Sequence, residues 1–394
     1  MNRQFARRME RFQASDLTPI LKAAANPEVI SFAGGLPAPE LFPVEEYKKI
    51  AAAVLDKDGR RALQYSSSAG PLPLRQKVAE RTGRLLKAPL TADNIVITTG
   101  SQQSLDILAK MYINEGDCIL CESPTYLGAL SAFNGCLPSY REVETDDEGM
   151  VIADLERALA TEKRAKLIYV IPDFQNPTGK TWSLDRRKRF METVSQHDVL
   201  VIEDNPYGEL RFEGTSPDSL KSMDRKGQVV TLGTFSKIFA PGLRVAWVCA
   251  DPEFLTYFCN LKEAADLHTS TLSQYEIDAF LASYDLDAHV ERLITVYRER
   301  RDIMVEAMAE HFPKSVTFTR PEGGLFTWAT LPEKVNARQL FVKALEKKVA
   351  FVPGGAFYPN AGRENAMRLN YSNMPPERIR EGVGRLGEVM KAYL

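Results

Sequence analysis

Residues 229–248 read VVTLGTFSKIFAPGLRVAWV, and they carry the clearest sequence pattern for predicting the fold. Two short apolar segments, at 229–232 and 244–248, enclose a polar segment that contains Lys237. Continuous apolar runs of this length, rich in β-branched residues, are typical of strands buried on both faces of a sheet. The pattern therefore predicts two buried strands, with the lysine just after the carboxyl end of the first.

Lys237 lies among residues that suit two different tasks. Thr234 and Ser236 precede it, and Arg244 follows it. The lysine amine can form a Schiff base with an aldehyde, while the hydroxyls and the guanidinium can hold a phosphate group. Pyridoxal phosphate requires both from a protein. Taken alone, the same string also fits a surface loop with a solvated lysine.

The middle of the chain repeats the strand pattern. Apolar runs lie at 95–99, 166–171 and 199–202, and a segment with helical spacing runs from Ser101 to about Tyr112. Short apolar strands separated by helices predict an α/β fold, with a mostly parallel sheet between layers of helices. Such sheets bind ligands outside the carboxyl ends of their strands. The polar residues expected at those ends are Ser101, Asn176, Asp204 and Lys237.

The C-terminal region has a different pattern. A long, charged, amphipathic helix is predicted over about 284–301, and apolar segments at 323–328, 349–352 and 367–372 indicate strands. These elements suit a smaller α+β domain. The expected division is an N-terminal segment packing with the small domain at 1–50, a large domain at 51–285 and a small domain at 286–394.

Composition excludes several classes of protein. The chain has 394 residues and a formal net charge of -2, which gives no electrostatic case for nucleic acid or an acidic membrane as partner. The first ten residues carry charge but no apolar run, and no stretch approaches the roughly 20 apolar residues of a membrane span. We therefore expect a cytoplasmic protein with small-molecule substrates.

The five cysteines predict neither a disulfide framework nor a metal site, because they are odd in number and scattered. Cys118 and Cys121 form a C-x-x-C pair inside a predicted buried strand. A period of two places them on opposite faces of that strand, and no histidine cluster accompanies them. We expect small buried residues here and no bound metal.

Three polar residues near strand ends have both a functional and a structural interpretation. Ser101 opens a helix whose N-terminus can bind an anion, although it also fits an ordinary helix cap. Tyr126 can stack on a flat heterocycle or pack in the core. Asn176 precedes Pro177 and can donate to a phenolate oxygen or serve only the turn.

Two charged residues carry the same ambiguity. Asp204 ends a predicted buried strand, where a carboxylate needs a partner such as a pyridinium nitrogen; a capping role in a turn is the alternative. Tyr207, three residues later, can reach the phenolic oxygen of the same ring. Arg368 lies in an apolar strand, where its guanidinium can bind a carboxylate or form an internal salt bridge.

In order and spacing, these motifs resemble the class I/II aminotransferases, which are fold-type I pyridoxal phosphate enzymes. The resemblance extends along nearly the whole chain and is nearest to the 2-aminoadipate/kynurenine/aromatic branch. The motifs that carry it are Gly34-Gly35-Leu36-Pro37, Gln64-Tyr65 with Gly70 and Leu74-Arg75, Gly100-Ser101-Gln102, Asn176-Pro177-Thr178-Gly179, Asp204-Asn205-Pro206-Tyr207, Ser236-Lys237, Pro241-Gly242-Leu243-Arg244 and Arg368.

The resemblance implies a role for each motif. Lys237 is the Schiff-base lysine, Asp204 pairs with the pyridine nitrogen, and Tyr126 stacks on the ring. Asn176 and Tyr207 hold the phenolic oxygen. Arg368 receives the substrate α-carboxylate, with Gly35 and Asn176 beside it. The phosphate ligands implied are Ser101, Gln102, Thr234, Ser236 and Arg244, together with Tyr65 from the second subunit of a homodimer.

One departure from the family concerns the donor. Relatives that accept acidic side chains often carry an arginine in the N-terminal helix, but residues 15–22 read SDLTPILK. We therefore expect a neutral or aromatic L-amino acid as donor, and a 2-oxo acid such as 2-oxoglutarate as acceptor, in a ping-pong mechanism. The alternatives are a lyase or decarboxylase on the same fold, or a regulatory domain that binds the cofactor. Only about 30 residues precede Ser31, too few for a winged helix, so we do not expect the regulatory domain.

Overall fold

The computed structural model describes residues 4–12 and 26–394. The strands are β1 (Ile30–Ser31), β2 (Ile95–Thr98), β3 (Cys118–Ser123), β4 (Ser139–Asp146), β5 (Gly149–Met150), β6 (Ala165–Val170), β7 (Leu200–Asp204), β8 (Val229–Thr234), β9 (Ala246–Cys249), β10 (Thr317–Phe318), β11 (Phe326–Thr330), β12 (Val349–Ala350), β13 (Val352–Pro353) and β14 (Ala366–Asn370). The helices are α1 (Val44–Ala62), α2 (Leu72–Leu86), α3 (Ser101–Tyr112), α4 (Leu127–Phe133), α5 (Ile152–Thr161), α6 (Leu184–Val194), α7 (Leu220–Met223), α8 (Pro252–Asp266), α9 (Thr271–Ser283), α10 (Leu286–His311), α11 (Ala337–Glu346) and α12 (Pro376–Tyr393).

The central sheet has eight strands in the order β2-β9-β8-β7-β6-β3-β4-β5. Its interior pairs, from β4 through β3, β6 and β7 to β8, are all parallel, as the sequence predicts. The strand β9 runs antiparallel to both β8 and β2. It follows β8 after a short loop with no crossover helix, and a short loop can join only antiparallel neighbours. That loop carries Lys237.

Helices cover both faces of this sheet. On β6, Leu167 and Tyr169 belong to the core beneath α3, α4 and α8, whereas Ile168 and Val170 belong to the core beneath α5 and α6. This alternation follows from the period of two in a strand. Both sets are buried, which explains the uninterrupted apolar runs in the sequence. The predicted α/β class, with a parallel sheet between helical layers, is confirmed.

A second, antiparallel sheet has the order β10-β11-β14-β13. The long helix α10 packs against α12 beside it and continues to His311, ten residues beyond its predicted end. The apolar segment at 323–328 enters the sheet only at Phe326, because Gly324 has a left-handed φ of 73°. The segment at 349–352 forms two short strands in different sheets.

The N-terminal segment is tied to the C-terminal region. The strand β1 pairs in parallel with β12, and Asn370 donates its backbone N–H to the carbonyl of Phe32. The β1–β12 pairing and the Asn370–Phe32 bond place residues 30–35 beside the end of β14. The following helix, α1, instead packs against α9. No helix within the described ranges is long and apolar enough to cross a membrane.

Candidate active site

A cavity of about 340 Å³ opens where the carboxyl ends of β7 and β8 approach β14. Asp204 is the last residue of β7, Lys237 follows β8 closely, and Ser101 begins α3 directly after β2. Strands that run in the same direction bring their carboxyl ends to one edge of the sheet. The predicted site residues that line the cavity are Gly35, Ser101, Gln102, Tyr126, Asn176, Asp204, Tyr207, Thr234, Ser236, Lys237, Arg244 and Arg368.

Tyr65 is the predicted site residue that the structure does not bring into this cavity. Its side chain is 78% exposed and lies edge-on to His268, with ring centroids 5.7 Å apart. Residues 62–65 and 270–272 line a separate, shallow pocket around this pair. Tyr65 therefore belongs to the surface of this subunit.

The amine of Lys237 donates to the carbonyl oxygen of Gly35 at 2.8 Å. Burial of the ammonium, together with the nearby guanidinium groups of Arg368 and Arg244, lowers the pKa of Lys237 from 10.5 to about 8. Both causes act against the charged form. At pH 7 the amine is still mostly protonated, but its neutral, nucleophilic form is far more populated than in an ordinary lysine.

Asp204 is buried, and its two carboxylate oxygens have different surroundings. Oδ2 accepts a hydrogen bond from the Tyr169 hydroxyl at 2.7 Å, whereas Oδ1 has no partner among the described residues. Burial raises the pKa of Asp204 to about 6, and the bond from Tyr169 acts in the opposite direction. A buried oxygen of this kind needs a donor, and a protonated ring nitrogen would supply one.

The start of α3 forms a cradle for an anion. Gly100 has a left-handed φ of 77°, and a side chain there would collide with the Arg244 guanidinium. The hydroxyl of Ser101 is buried without a partner within the described part of the chain. On the opposite side, Thr234 donates to the Ser236 hydroxyl at 3.0 Å. Hydroxyls, a guanidinium and a helix N-terminus together suit a phosphate group.

Arg368 enters the cavity from β14. Its Nη1 donates to Asn176 Oδ1 at 2.9 Å and its Nη2 donates to the carbonyl of Ala33 at 2.7 Å. The guanidinium carbon lies 4.2 Å from the ring centre of Phe326 and 5.1 Å from that of Phe357. Burial lowers the pKa of Arg368 to about 10.

The internal salt bridge considered for Arg368 does not form with any described carboxylate, because its polar partners are an amide oxygen and a carbonyl. Its Nε also has no partner within the described ranges. A buried guanidinium without a counter-ion is costly for the fold. A carboxylate ligand would remove that cost.

The remaining predicted residues line the same cavity. Asn176 Nδ2 donates to the Tyr207 hydroxyl at 3.4 Å, so one amide contacts both Tyr207 and Arg368. Tyr126 precedes α4 and packs tightly against Gly128. The Gln102 side-chain amide donates to the Gly128 carbonyl at 2.7 Å, which ties α3 to α4.

Three contributors to the site were not predicted from the sequence: Tyr169, Phe326 and Ala33. The sequence did contain a signal for Tyr169, because a tyrosine hydroxyl inside an apolar strand needs a hydrogen-bond partner. The next strand along the chain ends in Asp204, which supplies one. Phe326 and Ala33 gave no comparable signal, since a phenylalanine in a strand and a backbone carbonyl have no distinctive pattern. Their contribution depends on long-range packing.

The chain matches known proteins along nearly its whole length. The family described as "Aminotransferase class I and II" matches residues 38–386. "Aromatic-amino-acid aminotransferase 1" of Thermococcus litoralis is 44% identical over 96% of this chain and 92% of that protein. "2-aminoadipate transaminase" of Thermus thermophilus is 43% identical over 99% and 97% of the two chains.

Solved structures give the same result. The Pyrococcus horikoshii kynurenine aminotransferase superimposes with a TM-score of 0.95 at 39% identity, over 99% of this chain and 97% of that one. The α-aminoadipate aminotransferase from Thermus thermophilus has a TM-score of 0.92 at 43% identity, over 98% and 97%. That structure contains N-(5'-phosphopyridoxyl)-L-leucine.

The residues of the cavity fit pyridoxal phosphate, the cofactor of this family. The unpartnered Asp204 Oδ1 matches a pyridinium N–H, and the unpartnered Ser101 hydroxyl beside Arg244 matches a phosphate. The lowered pKa of Lys237 suits an amine that attacks an aldehyde. The chain belongs to the class I and II aminotransferases, and it is a fold-type I, pyridoxal-phosphate-dependent transaminase.

Proposed function

We propose that Lys237 is the residue that moves the proton during amino-group transfer. When bound, pyridoxal phosphate supplies an aldehyde that combines with amines and a ring that accepts electrons. Lys237 Nζ would take the α-proton of the amino acid and deliver it to the carbon that the cofactor contributes as its aldehyde, after which hydrolysis would release the 2-oxo acid. The lowered pKa of Lys237 places the amine near the protonation equilibrium that a catalyst of both steps requires.

Asp204, Asn176 and Tyr207 are proposed to orient the cofactor ring. Asp204 Oδ1 accepts the ring N–H, and its negative charge keeps that nitrogen protonated. Asn176 and Tyr207, whose polar groups lie 3.4 Å apart, hold the phenolic oxygen. Tyr126 stacks on the ring. The proposed phosphate ligands are Ser101, Gln102, Thr234, Ser236 and Arg244.

Arg368 is proposed to bind the α-carboxylate of every substrate. The observation that carries this assignment is a guanidinium in the cavity with two donor bonds to neutral oxygens and no described counter-ion. A substrate carboxylate supplies the missing negative charge with good geometry. Gly35 lies beside this position, and any side chain there would press on Phe326.

The proposed donors are neutral or aromatic L-amino acids, with 2-oxoglutarate as the acceptor. The charged side chains that line the cavity within the described residues are Asp204, Lys237, Arg244 and Arg368. The first three have proposed partners on the cofactor, which leaves one guanidinium for one carboxylate. Residues 15–22, where the sequence departs from acid-specific relatives, lie outside the described part of the chain.

A panel of donors tests this preference. With 2-oxoglutarate as acceptor, kcat/KM should be higher for phenylalanine, leucine and methionine than for 2-aminoadipate. Lys22→Ala is the matched control, and it should leave the ranking unchanged. A tenfold or larger lead for 2-aminoadipate would contradict the proposal. Spectroscopic formation of pyridoxamine phosphate on mixing with the donor distinguishes transamination from elimination or decarboxylation.

We further propose that the protein acts as a cytoplasmic homodimer in which Tyr65 completes the phosphate site of the other subunit. Leu63 and Tyr65 are 72% and 78% exposed on one short segment beside His268. Large apolar side chains exposed together favour an interface. The proposed division into 1–50, 51–285 and 286–394 would place the cavity between the two domains, with Arg368 in the smaller.

A further inference from the structure

We propose that Tyr169 is a positioning residue for Asp204: its hydroxyl occupies one carboxylate oxygen and thereby leaves the other for the ring nitrogen of the cofactor. Tyr169 donates to Asp204 Oδ2 at 2.7 Å, and both side chains are buried. Oδ1 has no partner in the described residues, and Asp204 lines the cavity. The inference rests on the proposed role of Asp204.

Strand register explains how Tyr169 reaches this position. The strands β6 and β7 run in parallel, with Tyr169 opposite Ile202. Asp204 lies two residues further along β7 and therefore on the same face as Ile202. The Tyr169 ring is fixed by an edge-on contact with Phe133, with centroids 5.6 Å apart. Because the ring is fixed, its hydroxyl is fixed as well. The hydroxyl then restricts the carboxylate of Asp204, whose χ2 angle has no sharply preferred value.

The charge of Asp204 depends on the same bond. A hydroxyl that donates to a carboxylate favours its ionised form, whereas burial disfavours it. The pKa of Tyr169 itself is raised well above 10 by burial and by Asp204, so its hydroxyl keeps its proton and acts as a donor. Asp204 should therefore be more acidic with Tyr169 than without it.

Other titratable groups lie near Asp204, and their titration must be distinguished from that of Asp204. Burial raises the pKa values of Tyr126 and Tyr207, which stay protonated, and lowers that of Lys237 to about 8. Glu203, the preceding residue on β7, instead accepts from the backbone N–H of Leu220 on the other face of the sheet. Between pH 5 and 7, Asp204 is thus the titrating group that directly contacts Tyr169.

Tyr371 offers a matched control for a purely structural role. It is also fully buried, and its hydroxyl donates at the same 2.7 Å to the neutral carbonyl of Gly323. Tyr169→Phe and Tyr371→Phe each remove one buried hydroxyl bond and keep the ring. Only Tyr169→Phe removes a bond to a titrating carboxylate.

The test measures the unfolding midpoint of the apoprotein between pH 5 and 7.5. A carboxyl whose pKa is raised in the folded state loses stability as the pH rises above its unfolded value of about 3.9. Tyr169→Phe should raise the pKa of Asp204 further. The unfolding midpoint of this variant should therefore fall further below that of the native protein as the pH rises. The deficit of Tyr371→Phe should stay constant. In an Asp204→Asn background the widening should disappear.

A pH-independent deficit for Tyr169→Phe, or a widening that persists with Asp204→Asn, would overturn the proposal. Should Tyr169→Phe not fold, infrared difference spectra of native against Asp204→Asn apoprotein report the carboxyl directly. An ionised Asp204 at pH 7.5 is expected, and a protonated one contradicts the proposal.

Cofactor binding gives an independent measurement. At pH 7.5, Tyr169→Phe should weaken binding of pyridoxal phosphate on the order of tenfold, the usual scale for a bond to a charged group. Adding it to Asp204→Asn should cause no further loss. If Asp204→Asn itself leaves kcat unchanged, the proposed function of Asp204 fails. If Asp204→Asn lowers kcat but Tyr169→Phe binds the cofactor as tightly as Tyr371→Phe does, only the positioning role fails.

Discussion

The amine of Lys237 lies 2.8 Å from the carbonyl oxygen of Gly35, to which it donates, although 202 positions separate the two residues in the chain. The same short segment supplies the Ala33 carbonyl to Arg368. One backbone segment therefore contacts both the proposed catalytic amine and the proposed carboxylate-binding guanidinium. Neither cation has a described carboxylate partner, so the site holds positive charge ready for an anionic substrate.

Asp204→Asn should retain the cofactor but lose at least about tenfold in kcat, because an amide cannot keep the ring nitrogen protonated as an anion does. The measurement is steady-state kcat at saturating donor, with cofactor occupancy determined from absorbance. An unchanged kcat at full occupancy would show that the ring is oriented in another way.

Arg368→Ala should lower kcat/KM on the order of 100-fold for every donor alike, because the α-carboxylate is common to all of them. Arg368→Lys should recover only part of this loss, since a lysine has no planar fork. Arg363, which packs on Tyr358 outside the cavity, provides the control, and Arg363→Ala should behave as the native enzyme. A loss restricted to one donor would show that Arg368 contacts the side chain of that donor and not the α-carboxylate.

The apoprotein should become more stable at pH 7 when Lys237 is replaced by methionine. The pKa of Lys237 is depressed to about 8 in the folded state, so the buried cation destabilises the fold below that pH. The destabilisation fades as the pH rises through 8 toward 10.5, and the advantage of Lys237→Met should shrink accordingly. Thermal unfolding of both proteins at pH 7 and pH 9.5 measures this advantage. If the advantage of Lys237→Met grew with pH, the pKa of Lys237 would not be depressed in the folded protein.

Subunit mixing tests whether Tyr65 serves the neighbouring subunit. Tyr65→Phe and Lys237→Ala homodimers should each have low activity. After mixing and exchange, about a quarter of all sites should carry neither lesion if subunits pair at random and each site draws on both. Activity should therefore rise on mixing. No recovery, together with proven exchange, would place Tyr65 outside the neighbouring site, and an active monomer in sedimentation would exclude the dimer.

Local pattern predicts the parts of this fold that depend on neighbours in sequence. Asp204 and Lys237 lie at the ends of apolar runs that are typical of buried strands, so the sequence predicts that they meet at one sheet edge. The reach of Tyr169 toward Asp204 depends on the register between β6 and β7, which the sequence does not show. The contact of Phe326 with Arg368 likewise requires β11 and β14 to pair. The true end of α10 was open to prediction, because its apolar stripe continues through Ile303, Met304, Ala307 and Met308.

Lys237 is proposed as the amine that holds the cofactor, and chemical reduction of the Schiff base shows which lysine carries it. The holoenzyme is reduced with borohydride and digested, and the peptides are analysed by mass spectrometry. We expect this assignment to give a phosphopyridoxyl adduct on Lys237, and no adduct at the corresponding position in Lys237→Ala, whose transamination should fall on the order of 1,000-fold. An adduct on any other lysine of the native enzyme would contradict it.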